Sequence, residues 1–382
     1  MKHKYVNGPI NIVHLRGNID GIEKDIYLLF DIHNSIEEQN NCRNINIKSS
    51  ETIEDFIDKI FKNATKDKPV DFMLEIFLSH LFNIYPKIKK EHIYINRLRI
   101  FMQQNFTLNK KGTTVISSKI YPNARLHYID IRDVFIEMIN YEYIKQVAYD
   151  EEYQNKQISN NTWKNILDKI IIIYNRIKKL HKNITKKIIK EDDKYKILQI
   201  YAKISVKKIK SKKRFKMLLY IIKKIKERCV HKIVTNIIDF IINNEISICF
   251  NKITNIYNIL SSKLINDSKQ FFKLVSQMYG YLIEYSMYLM DIYAIRRILD
   301  KDYIMKTILY IGYDHACHYI MILMNHLNFK LINISKSNLS KNELTNKIKN
   351  ITYYKNLRQY IVKENNTKMI QCTDYSMFPN IL

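Results

Sequence analysis

Four apolar runs in this chain stop on a charged or imidazole side chain. Tyr27-Leu28-Leu29-Phe30 runs into Asp31 and His33, and Ile308-Leu309-Tyr310-Ile311 runs through Gly312 into Asp314 and His315. Between them, Phe72-Met73-Leu74 stops on Glu75, and Leu126-His127-Tyr128-Ile129 stops on Asp130. Carboxylates and imidazoles gathered at strand ends can do two kinds of chemistry. They can hold a divalent metal, or they can move protons between water and a substrate. A buried strand that delivers a charged group at its C-terminal end is how open α/β sheets build sites.

The spacings sharpen this. Asp31 and His33 are two apart, so on a strand they share a face, where the acid can orient the imidazole or both can meet one metal. The bland alternative is a strand capped by turn-forming residues. Glu75 is costly to bury without a partner, which makes it a candidate ligand or general base, or else an edge residue facing water. His315 and His318, three apart, lie near one face of a helix. That is a metal-ligand spacing, with Cys317 between them as a packing residue. Arg125, His127, Asp130 and Arg132 form a third cluster, in which Arg125 either steadies a negatively charged transition state or makes a structural pair with an acid. The expected site is therefore His33, Glu75, His315 and Arg125 for proton and charge chemistry, with His33, Glu75, His315 and Asp31 as the ligand set for a divalent metal of unspecified identity. No G-x-S-x-G, Walker A or G-x-G-x-x-G sequence occurs, so serine-hydrolase, P-loop and dinucleotide-binding readings lack support.

These residues need strands to carry them. Residues 10–33 read as a β-hairpin turned at Asn18-Ile19-Asp20-Gly21. Ser50 is placed to cap a helix in which Ile53, Phe56, Ile57 and Ile60 repeat at helical spacing. Lys66-Asp67-Lys68-Pro69 closes that helix and a strand follows at 70–77. A helix near 90–104 and a strand at 124–130 come next. From 134 to 300 there is no proline and one glycine, Gly280, which predicts a block of long helices. Strand, helix and strand then return, and a further helix is predicted at 341–360. The fold class is α/β, a mostly parallel sheet with strands near 10–16, 22–33, 70–77, 124–130, 306–313 and 329–334 and a large helical insertion. The predicted domains are a split core of 1–133 with 303–335, a basic helical insertion at 134–302, and a C-terminal helix and tail at 336–382.

Composition constrains partners. The 382-residue chain carries a formal charge of +26, and 46% hydrophobic residues supply a sizeable core. Residues 164–232 hold 24 Lys or Arg against 5 Asp or Glu, an excess of 24 − 5 = 19. Nucleic acid bound through phosphate by the Lys164–Lys232 region is the partner this suggests; a lysine-coated surface, enlarged by AT-rich coding, is the plainer reading. The five cysteines show no C-x-x-C spacing. Free thiols in a reducing compartment are the expectation, with a Cys42–Cys372 pair as the alternative. The N-terminus lacks a signal-peptide pattern, and no run of about 18 uncharged apolar residues was found, so an intracellular protein without a membrane span is expected.

The ordered motifs resemble the erythromycin-esterase, ChaN, TraB and TIKI-type superfamily. That superfamily has an early G-x-x-H at a strand end, a strand ending in Glu one helix later, and a late G-x-x-H before the last helix and strand of the core. Phe30-Asp31-Ile32-His33 is similar to the first, with Phe30 in place of Gly; Glu75 is similar to the second; Gly312-Tyr313-Asp314-His315 has the full pattern of the third. The resemblance spans 22–77 and 303–335. It implies metal-dependent peptide cleavage, ester hydrolysis or haem binding, with His33, Glu75 and His315 as site residues and Asp31 beside them. The Phe at position 30 leaves open an inactive core serving as a basic nucleic-acid-binding or structural protein. In style the chain is also similar to proteins of large DNA viruses, implying host cytoplasm or virion.

Overall fold

The computed structural model describes residues 4–33, 36, 40–77, 93–108, 116–149, 160–185, 225, 229–262, 267–361, 370–379 and 381. The chain divides into two compact units, Met1–Asp130 with Arg297–Leu382, and Ile131–Arg296. The tail beyond residue 336, expected as a separate segment, is part of the first unit.

The strands are β1 (Tyr5–Asn7), β2 (Asn11–Ile19), β3 (Ile22–Asp31), β4 (Ser50–Glu51), β5 (Val70–Phe77), β6 (Thr107–Leu108), β7 (Ile116–Ser117), β8 (Ala124–Asp130), β9 (Lys306–Gly312), β10 (Lys330–Ile334) and β11 (Cys372–Asp374). The helices are α1 (Ile53–Asn63), α2 (Tyr94–Asn105), α3 (Arg132–Ile139), α4 (Tyr141–Tyr149), α5 (Asn160–Ile184), α6 (Lys232–Phe240), α7 (Ser247–Ser261), α8 (Ser268–Leu299), α9 (Tyr313–Leu327) and α10 (Lys341–Lys349), followed by short turns at Tyr354–Leu357 and Arg358–Ile361.

Eight strands form the main sheet in the order β10-β2-β3-β9-β5-β8-β7-β6. Its centre, β3, β9, β5 and β8, is parallel, and both edges are antiparallel. The sheet is therefore mixed in orientation with a parallel core, as an α/β fold has. The central strands are buried on both faces: Leu28–Phe30, Phe72–Leu74 and Ile308–Ile311 have no measurable exposure. Strands covered on both sides read as continuous apolar runs, and each such side chain adds about 1.5–3 kcal/mol on burial. The β2–β3 hairpin turns on Asp20 and Gly21, both at positive φ, and glycine is suited to the +91° taken by the second.

Two boundaries differ from expectation for local reasons. Thr52, not Ser50, caps α1 by accepting the Asp55 amide, while Ser50 and Glu51 pair with β1. The face Ile53, Phe56, Ile57, Ile60 and Phe61 is buried as its spacing requires. The helix expected across 341–360 stops at Lys349, after a capping box between Ser340 and Glu343 starts it.

A second sheet, β11-β1-β4, was not anticipated. In it Cys372 stands opposite Asn7, and the Asn7 side chain accepts the Cys42 amide at 2.9 Å. The two cysteines are thereby brought together and form a disulfide across 330 positions of sequence. This corrects the expectation of free thiols for that pair; Cys229, Cys249 and Cys317 are not joined in disulfides. Constraining so long a loop in the unfolded chain is worth roughly 2–5 kcal/mol.

In the second unit, α5 buries Ile166, Ile170, Ile173, Tyr174, Ile177 and Leu180 and exposes Lys164, Lys169, Lys178, Lys179 and Lys182. The rest of the basic stretch, 186–224 and 226–228, lies outside the described residues. Helices α6 and α7 join through a π-helical turn at Ile241–Ile246. The resulting Lys232–Ser261 run is, by length and composition, apolar enough to cross a membrane, a feature the sequence reading did not single out. Its middle carries Asn243, Asn244 and Glu245, polar groups that are expensive at a bilayer centre.

Candidate acid–histidine site

The parallel register sets the site. Asp31 ends β3 directly opposite Gly312 at the end of β9, and Leu74 pairs with Tyr310, so Glu75 comes one position short of Gly312. A register shift between Leu74 and Phe77 interrupts the β5–β8 ladder at this point. The Glu75 carboxylate reaches across the strand ends, and its Oε2 accepts the Gly312 amide at 2.5 Å. That amide caps the start of α9, where partial positive charge favours a carboxylate.

Two imidazoles meet this carboxylate. His33 Nε2 lies 3.2 Å from Glu75 Oε2, and His315 Nε2 lies 3.4 Å from Oε1. On its other side, His33 Nδ1 is 2.9 Å from Asp31 Oδ2. The result is a row, Asp31, His33, Glu75, His315. Asp31, Glu75 and His315 side chains are 1–4% exposed, whereas His33 is 34% exposed, so solvent reaches the row at His33. Burial opposes charging of the His33 ring, but Glu75 and Asp31, one at each nitrogen, outweigh it and hold its pKa well above the ordinary histidine value. His33 takes φ of +57°, a left-handed conformation that a packed surrounding must hold in place.

Glycine at 312 follows from the same geometry. A Cβ there would stand 3.1 Å from both Glu75 Oε2 and His33 Nε2. Phe30, where the resemblance has glycine, is instead fully buried in β3.

The structure also brings in residues the sequence did not mark. Gln371 donates from Nε2 to Asp31 Oδ1 at 2.9 Å. The Tyr310 hydroxyl is pushed well up in pKa by burial and by the neighbouring Asp31 carboxylate; burial, with Glu54 and Asp31 adding to it against Arg97, also raises Tyr94. Tyr310 was legible as part of an apolar strand, and nothing local marked its hydroxyl.

Arg125 is not part of the row. It grips buried Asp71 through Nε at 2.8 Å and Nη2 at 2.5 Å, and it lies over the Tyr303 ring. His127 Nε2 meets the same acid at 2.7 Å, and Arg297 faces its Nδ1 at 3.2 Å. Asp71 sits at the opposite end of β5, about 13 Å along the strand from Glu75 at ~3.3 Å per residue. Burial keeps the His127 pKa low, and Asp71, despite burial, is lowered by its hydrogen bonds with His127 and the Arg125 guanidinium. This cluster ties β5 to β8 as a structural pair. His318 packs against the Tyr319 and Tyr354 rings, Asp314 pairs with Arg358, and burial raises the Cys317 thiol so that it stays protonated. Asp130 ends β8 in register with Phe77.

Two imidazoles and two carboxylates are donor types that a divalent metal takes. Each Glu75 oxygen faces an imidazole nitrogen and one also holds an amide, so these donors are spent on one another. Among the described residues no three His, Cys, Asp or Glu side chains are gathered as a metal centre requires.

Comparison with known proteins places relatives along the whole chain. A family of unknown function (DUF5847) matches over residues 4–281 and 243–382. Uncharacterized protein R706 of Acanthamoeba polyphaga mimivirus is 29% identical over 98% of this chain and 96% of its own length. Uncharacterized protein R160 of the same virus is 27% identical over 99% of this chain and 97% of its length. Uncharacterized protein R129 is 38% identical over 34% of this chain. No solved structure matches.

Proposed function

We propose that this chain, which belongs to the family of unknown function DUF5847, is hydrolase-like, a divergent relative of the erythromycin-esterase/TIKI type that cleaves an ester or peptide bond by acid–base chemistry. One observation carries the reading: a single carboxylate, Glu75, stands between two imidazoles at the C-terminal ends of parallel strands. The exposed His33, its proton retained at neutral pH, is the group that hands a proton to the leaving oxygen or nitrogen. The buried Glu75–His315 pair takes up the proton released by an attacking water. Asp31 fixes the His33 ring. Proton transfers of this kind each contribute about 10²–10⁴-fold in rate. A divalent metal on His33, Glu75 and His315 is the variant form of this proposal; the mutual pairing of those side chains favours the metal-free form.

The test is turnover of a panel of aryl esters and short peptides by wild type beside His33→Gln, Glu75→Gln and His315→Gln. Loss of about 100-fold or more in each folded variant supports the proposal. No turnover by wild type on any substrate turns the reading to an inactive core.

A second reading has its own observation. The exposed lysines of α5 offer a basic face suited to phosphate. Binding to a nucleic acid duplex that weakens steeply with salt supports it; absence of binding at low salt removes it.

A further inference from the structure

We propose that Gln371 is a positioning residue for the Asp31–His33 pair, and that the Cys42–Cys372 disulfide beside it keeps that positioning in place. The inference rests on the acid–base reading of His33, and goes beyond it in assigning a control of that site to the C-terminal strand.

The connection begins with Asp31. It is buried, and its Oδ1 receives the Gln371 amide while its Oδ2 faces His33. Gln371 is itself 1% exposed, and its Oε1 has no hydrogen-bond partner among the described residues. Turning the amide over would set that oxygen against the Asp31 carboxylate, so the observed orientation is the one the acid selects. A buried glutamine that leaves half of its amide unsatisfied is a poor packing choice. Its one hydrogen bond aims a carboxylate at the imidazole that meets solvent.

Gln371 is held from both sides. Its backbone N–H donates to the Asn40 carbonyl at 2.8 Å, and its backbone carbonyl accepts from the Gly8 N–H at 3.2 Å. Asn40 pairs with Ile370 as an isolated bridge. The next residue, Cys372, is bonded to Cys42, which lies nine positions after His33 in sequence. The disulfide thus anchors the residue that directly follows Gln371, whose side chain reaches Asp31. His33, at positive φ, depends on its surroundings for its backbone conformation, so slack in this brace is transmitted to the imidazole. Reduction is a two-electron step: a dithiol reductant gives two electrons and two protons, the Cys42–Cys372 bond becomes two thiols, and the reductant becomes a disulfide.

The experiment is a histidine-selective NMR titration of the full chain, with the His33 signal identified by its loss in His33→Gln. It reads the His33 midpoint whether or not the protein turns over any substrate, so an inactive protein does not blur the result. Wild type, Gln371→Met, Cys42→Ser and Cys42→Ser/Gln371→Met are compared, together with wild type treated with dithiothreitol. The expected result is a lower His33 midpoint in Gln371→Met by about half a pH unit or more, a smaller fall on reduction or in Cys42→Ser, and no further fall when the two substitutions are combined. An unchanged or raised midpoint in Gln371→Met overturns the positioning role. A fall on Cys42→Ser that persists in full in the Gln371→Met background overturns the link through Gln371. Should a substitution unfold the chain, dithiothreitol on folded wild type reads the same shift, and an unchanged midpoint there overturns the role of the disulfide.

Discussion

Glu75 and Gly312, 237 positions apart, are joined by a hydrogen bond of 2.5 Å from the Gly312 amide to the carboxylate. This bond ties the end of β5 to the start of α9 and fixes the acid between His33 and His315. Because the carboxylate lies over the glycine, Gly312→Ala sets a methyl group 3.1 Å from Glu75 Oε2 and His33 Nε2. Overpacking of this kind costs about 1–3 kcal/mol. Urea unfolding should record that loss, and the His33 NMR signal should move with it. An alanine variant as stable as wild type, with an unmoved His33 signal, would show that the contact is loose.

Glu75→Gln tests the carboxylate itself. The substitution keeps size and removes the charge that raises the His33 pKa. The His33 midpoint should fall toward the ordinary value near 6.5, and any ester or peptide turnover should fall about 100-fold or more. A midpoint that stays high would assign the shift to Asp31 alone.

The pH dependence of stability has a definite sign at His33. Its folded pKa is raised above the unfolded value, so its contribution is fully present below about pH 6.5 and disappears as pH rises through the folded pKa. His127 acts in the opposite direction. Its lowered folded pKa means that stability is lost as pH falls below about 6.5, where the unfolded ring binds a proton and the buried one resists it. The two overlap in a plain stability profile. The difference between wild type and His33→Gln isolates the first, and that difference should shrink from neutral to alkaline pH. A difference that is flat from pH 6 to 9 would contradict the raised pKa.

The central strands could be read from sequence because they are buried on both faces and so appear as unbroken apolar runs. Asp31, Glu75 and His315 followed from where those runs stop. The second sheet could not be read in this way: its strands are two or three residues long and carry no period. Gln371 sits in a polar tail, 340 positions from Asp31, and only the pairing of β1 with β11 brings it home. The same pairing joins Cys42 and Cys372, for which spacing gave no signal. Arg125, for which both a site role and a structural pair were open, lies outside the row for a different reason. Alternation along β8 correctly puts Arg125 and His127 on one face, but it does not say which end of the strand faces the site. The deciding partner, Asp71, begins the very run whose other end is Glu75.

Arg125→Met tests the structural reading of this residue. Asp71 is fully buried and would keep His127 as its partner while losing a bidentate guanidinium. Removing one member of a buried charged pair costs roughly 3 kcal/mol or more. Folding stability should drop accordingly, while the His33 midpoint and any turnover per folded molecule stay as in wild type. Loss of turnover without loss of stability would restore Arg125 to the site.

Metal content separates the two forms of the proposed chemistry. Each Glu75 oxygen is engaged by an imidazole, and Oε2 also by an amide, so a cation would have to break pairs that already satisfy one another. Elemental mass spectrometry of wild type beside His33→Ala/His315→Ala should therefore find sub-stoichiometric metal in both, and turnover should survive treatment with a chelator. Near-stoichiometric metal in wild type, lost from the double variant, would mean that the row rearranges around a cation. Glu75 would then be a ligand rather than a proton acceptor, and the pH dependence of turnover would follow a metal-bound water instead of the His33 imidazole.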